Sequence, residues 1–79
     1  MSGMFSTDEI PTFGSVVYLY TTWGSTIRDR PVVMRDCDDT FWEFRELSKD
    51  RKRILKTRRN AAVQHIAGWQ FAHISINAG

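Results

Sequence analysis

The sequence predicts an all-β domain, a small antiparallel meander or SH3-like barrel of five to six strands. Side chains alternate with period two over 15–22, 40–47 and 71–76, the spacing that puts neighbouring residues on opposite faces of a strand. Turn-forming residues punctuate these runs, with Gly14 before the first and Trp23-Gly24-Ser25 after it. The acidic cluster Asp36-Cys37-Asp38-Asp39 leaves only a tight connection between two extended runs, which predicts a hairpin.

Taken in order, 1–12 is polar, rich in small residues and carries Pro11, and reads as a flexible N-terminal arm. Residues 13–76 form the single β-rich domain. The first strand is 15–22, where Val17, Leu19 and Thr21 oppose Val16, Tyr18 and Tyr20. Pro31 fixes its own φ and pushes Arg30 toward extended backbone, opening a second strand over 32–35. The third, 40–47, has Trp42, Phe44 and Glu46 on one face and Phe41, Glu43, Arg45 and Leu47 on the other. Apolar bulk on both faces marks it as a central strand.

Two readings divide the segment 48–66. As a helix it would start at Ser48 and stop at Gly68, with Leu47, Ile54, Leu55, Ala61, Ala62 and Ile66 on one arc. Arg51 and Arg58 fall inside that arc, which an apolar stripe does not favour. As strands, 48–51 is a hairpin turn, 52–57 returns along the central strand, and 58–60 is a second connection. A last pair, 62–66 and 71–76, then folds around Ala67-Gly68-Trp69. The strand reading is preferred, and the alternative is an α+β domain with one basic helix at about 48–66.

A chain of 79 residues is one domain and buries only about 60% of its unfolded surface. Its hydrophobic share of 42% and aromatic share of 13% argue against global disorder. Cys37 is the one cysteine, so no internal disulfide can form and an intracellular, cytoplasmic protein is expected. No basic segment followed by an apolar one opens the chain, so no signal peptide is expected. The uncharged stretches 10–27 and 60–79 are broken by Pro, Gly, Ser, Thr, Asn, Gln and His, and neither reads as a membrane span.

The net charge of +2 conceals a polarity along the chain. Residues 1–44 carry seven acids against three bases, whereas 49–59 carry seven bases against Asp50. That basic run, Lys49, Arg51, Lys52, Arg53, Lys56, Arg58 and Arg59, is the candidate site for the phosphates of DNA or RNA, since each phosphate contact releases counterions. Nearby aromatics, Trp42 or Trp69, are candidates for stacking on bases. The plainer reading is a solvated hairpin whose bases balance Glu43, Glu46 and the 36–39 turn. Trp23, Trp42 and Trp69 are also the candidate anchors of a protein interface, and an unpaired strand edge makes a homodimer possible.

Other chemistry finds little support. His65 and His73 are eight residues apart, and with Cys37 they supply at most three corners of a metal site; no metal and no cofactor are expected. Asp36, Asp38 and Asp39 lack the downstream glycine and glutamate of a calcium loop. Asp36 and Asp38 beside Cys37 raise its thiol pKa, the wrong direction for a nucleophile. No glycine-rich phosphate loop is present, and a non-enzyme is expected.

Three segments, Phe41-Trp42-Glu43-Phe44, then Arg58-Arg59-Asn60-Ala61-Ala62-Val63-Gln64-His65-Ile66, then Gly68-Trp69-Gln70-Phe71-Ala72-His73-Ile74, resemble small uncharacterised accessory proteins of bacteriophages, particularly those of actinobacteria. The resemblance covers about the second half of the chain. It implies action in the infected host's cytoplasm, on nucleic acid or on a host protein that is inhibited or redirected. The leading expectation is a small binding module contacting nucleic-acid phosphates, and the competing one is a protein-interaction module.

Overall fold

The computed structural model describes residues 4–74. Five strands, β1 (Val16–Thr21), β2 (Val32–Cys37), β3 (Phe41–Leu47), β4 (Ile54–Ala62) and β5 (Ile66–Phe71), form one antiparallel sheet in the order β4-β3-β2-β1-β5. Short 3-10 turns at Ile27–Asp29 and Val63–His65 lead into β2 and β5. The fold is all-β, and the first four strands are a simple meander. The sheet is open, since no ladder joins β4 to β5.

Alternation places the core on one face. Val17, Leu19, Val32, Met34, Trp42, Phe44, Ile66 and Trp69 pack into one buried cluster. Phe44 lies opposite Met34 on β2, and Leu19 lies opposite Trp69 on β5. Side chains opposite one another in an antiparallel ladder share a face, so these registers collect the apolar residues on one side. β3 is flanked by β2 and β4, the central position expected of it. Asp38 closes the β2–β3 turn by accepting the amide hydrogens of Phe41 and Thr40, both at 2.7 Å. Those two bonds, Phe41 first, hold its carboxyl below the usual range.

Three local expectations are corrected. The alternative of a basic helix at about 48–66 is absent: 48–53 is a hairpin turn, and β4 runs through Arg58, Arg59 and Asn60, where the sequence predicts a second connection. Ladder bonds to β3 take the backbone groups that a helix would have used internally, from Phe41 opposite Ala62 to Leu47 opposite Ile54. Residues 67–69 do not turn. They lie inside β5, a single strand paired with β1, so the expected pair 62–66 and 71–76 does not form; Ser75 and Ile76 fall outside the described residues.

The N-terminal arm is docked along its described part. Phe5 pairs with Trp69 on the outer edge of β5, and the Trp69 indole donates to the Glu9 carbonyl at 2.6 Å. Pro11 is buried. Gly68 is what admits this segment, because a Cβ there would stand 2.5 Å from the Phe5 carbonyl oxygen. A glycine inside a strand marks such close backbone approaches. Among the described residues, no helix is long and apolar enough to cross a membrane.

Candidate nucleic-acid interface

The β3–β4 hairpin turn is held by Ser48 and Asp50. Ser48 N–H donates to the Arg53 carbonyl at 2.9 Å, Arg51 N–H donates back to the Ser48 carbonyl at 2.8 Å, and Arg51 takes a left-handed φ of 62°. Asp50 accepts the Ser48 hydroxyl and the Lys52 amide, and these bonds, the hydroxyl first, hold its carboxyl below the usual range. The one acid within the basic run is therefore tied to its turn.

The bases themselves point to solvent. Lys49, Arg51, Lys52, Arg53, Lys56, Arg58 and Arg59 are all exposed. Among the described residues, only Arg59 of the seven forms a salt bridge, to Glu46. The expected balance with Glu43 and the 36–39 turn does not form: Glu43 faces Arg35 at 3.9 Å, and the Asp38 carboxylate accepts backbone amides.

Register then distributes the arginines of β4 to both sides of the sheet. Arg58 lies directly opposite Arg45, and Arg59 lies opposite the inward-facing Phe44. The Arg45–Arg58 pairing sets two like charges side by side, an arrangement that costs stability in an isolated sheet. On the same outer face the Nε atoms of Arg35 and Arg45 are buried without a hydrogen-bond partner. Arg35 also stacks over the exposed Phe13 ring, 5.1 Å from its centroid.

On the inner side of β4 a groove of about 580 Å³ opens against the 22–29 loop. Its walls include Trp23, His65, Arg28, Arg59 and Asn60. Arg28 Nε and Arg59 Nε meet the same oxygen of Glu46, at 2.7 and 3.3 Å. Arg28 holds a left-handed φ of 66° and Asp29 one of 53°, conformations that cost energy in non-glycine residues and cluster at functional sites.

The three tryptophans separate. Trp42 and Trp69 are 1% and 4% exposed and belong to the core, so neither presents its ring to a partner or a base. The reason is register, which aims both into the buried face, with the docked arm covering Trp69. Trp23 is 67% exposed, and its ring forms a T-shaped pair with His65 at 5.7 Å between centroids.

Sequence reasoning named Glu46 as a partner of the basic run, which Arg59 meets, but missed Arg28 and the pairing of Trp23 with His65, since residues so far apart in sequence carry no shared motif. Among the described residues, no three His, Cys, Asp or Glu side chains gather to hold a metal ion. The Cys37 thiol is pushed up to about 11, by burial first and then by Asp36 and Asp38. Among the described residues no strand pairs with the outer edge of β4, and Lys56, Arg58 and Arg59 along it oppose pairing with a second copy of itself. No family model, no curated protein and no solved structure matches the chain.

Proposed function

We propose that this chain is a small non-enzymatic binding module that contacts the phosphates of DNA or RNA through the arm formed by the β3–β4 hairpin and the β4 edge. The observation that carries this reading is the exposure of Lys49, Arg51, Lys52, Arg53, Lys56 and Arg58 without a salt bridge among the described residues. A hairpin tip of this kind rides along a backbone and reads little sequence, since base readout in the major groove calls for an inserted helix or ribbon with bidentate contacts.

The test is fluorescence anisotropy with labelled single- and double-stranded oligonucleotides at about 50 and about 200 mM salt, where phosphate contacts lose affinity steeply. Binding at low salt that collapses at high salt supports the reading, and replacing Arg51, Arg53 and Arg58 together by Ala abolishes it. Absence of binding at either salt overturns it.

A protein partner is the second reading, favoured by Ile10, Phe13 and Phe71, which are 55%, 67% and 46% exposed. Such a module would inhibit or redirect a host protein, in keeping with the resemblance to bacteriophage accessory proteins and with action in the host cytoplasm. An interface anchored by these side chains is insensitive to salt, which separates the two readings.

A further inference from the structure

We infer that the groove between the 22–29 loop and β4 takes one unpaired nucleotide, its base stacked on Trp23 and its phosphate held by Arg28 and Arg59. The inference rests on the nucleic-acid reading above and narrows it to single strands, because a base reaches an aromatic face only when it is free of a duplex stack.

The aromatic half of the site is built into the fold. Trp23 is exposed, yet its backbone is fixed on both sides: Thr22 N–H donates to the His65 carbonyl at 3.0 Å, and Thr21 N–H donates to the Ser25 carbonyl at 2.8 Å. Beneath the turn, the buried Thr21 hydroxyl donates to the same Ser25 carbonyl at 2.9 Å. A large ring held out on a fixed turn and 67% exposed offers aromatic surface to a planar partner.

The anion half follows from Glu46. Two guanidiniums from separate elements converge on its Oε2, with Nε at 2.7 Å from Arg28 and 3.3 Å from Arg59, and among the described residues their Nη groups make no hydrogen bond. Those Nη groups form the fork that matches a phosphate oxygen pair. Glu46 holds the two arginines together while leaving that fork open. Its carboxylate, with Asp29 on the groove wall, keeps the groove close to neutral, so free phosphate is attracted weakly. The basic hairpin supplies the long-range attraction, and stacking on Trp23 supplies the preference for an unpaired base. A volume of about 580 Å³ lies within the range of small-ligand sites.

The test reads the tryptophan itself. Trp42 and Trp69 are buried, so solvent-accessible emission comes from Trp23. The protein is titrated at low salt with an oligothymidylate and with a duplex of equal length, following tryptophan emission and the anisotropy of labelled strands together. The single strand is expected to quench Trp23, and the duplex to bind without quenching. Trp23→Ala is expected to weaken single-strand binding roughly tenfold, the scale of one lost base stack, and to leave duplex binding within about twofold; Trp23→Phe retains most of the affinity. Single-strand binding without quenching, or equally tight in Trp23→Ala, overturns the groove assignment while the phosphate reading stands. Failure of both nucleic acids to bind overturns that reading, and the groove assignment with it.

Discussion

Phe5 and Trp69 are joined by backbone and by ring. Each donates its amide hydrogen to the other's carbonyl, at 2.7 and 2.8 Å, and their rings stack with centroids 4.5 Å apart. The N-terminal segment thereby covers the outer edge of β5, which would otherwise offer free backbone groups to another chain. Phe71 adds an edge-on contact to both rings.

Gly68→Ala breaks this docking. Its Cβ would meet the Phe5 carbonyl oxygen at 2.5 Å and the Met4 side chain at 3.0 Å, so the N-terminal segment must lift away and Trp69 loses its cover. The expected loss is about 1–3 kcal/mol, the usual cost of overpacking. Urea denaturation measures it, and a red shift of Trp69 emission together with faster amide exchange at Phe5 and Trp69 locates it. Unchanged exchange at those amides would count against the docked arm.

Arg58→Glu moves stability and binding in opposite directions. It replaces a like-charge pair opposite Arg45 with an attractive one, worth about 0.2–1 kcal/mol to the free protein. The same change removes one phosphate contact, so nucleic-acid affinity falls. Urea midpoints at low and high salt check the first effect, which fades as salt screens the pair; anisotropy checks the second.

Two tryptophan substitutions differ sharply in cost. Trp42→Ala empties a core position that is 1% exposed and destabilises by about 3–5 kcal/mol. Trp23→Ala removes a ring that is 67% exposed and shifts stability by no more than about 0.5 kcal/mol. Equilibrium unfolding of the two variants under one condition tests the contrast.

Cys37 resists alkylation in the native protein. Burial, and then the Asp36 and Asp38 carboxylates, push its thiol up to about 11, so little thiolate exists near neutral pH. Iodoacetamide labelling followed by mass spectrometry is expected to be slow in buffer and fast in urea. Linkage has a definite sign: a thiol pKa raised by folding means that the unfolded chain loses its proton first. Its contribution to stability is complete below about 8.5, the ordinary thiol value. That contribution is lost as pH rises toward about 11.

β1 and β3 were legible in the sequence because each is bounded by local turn chemistry and alternates, and β2 was marked by Pro31 and the 36–39 turn although Val32, Val33 and Met34 are all buried. The observed Val16–Thr21 and Phe41–Leu47 sit within the expected 15–22 and 40–47, and β2 extends past the expected 32–35 to Cys37. β4 was ambiguous, since its exposed run from Lys56 to Asn60 has no apolar alternation to separate strand from helix. Gly68 misled for a different reason. Glycine serves both turns and close backbone approaches, and only the position of Phe5 distinguishes them.

The basic run was readable as composition, but not which of its charges an acid would engage. That depends on register: Phe44 opposite Arg59 and Arg45 opposite Arg58 send adjacent arginines to opposite faces, one toward Glu46 and the other beside a like charge. The separation of Trp23 from Trp42 and Trp69 has the same origin. Local sequence, through side-chain period and turn residues, determined that the chain forms strands and carries a cationic hairpin. The tertiary structure alone decided which rings are buried and which distant side chains meet in the groove, because strand pairing joins residues whose spacing in the chain holds no record of their contact.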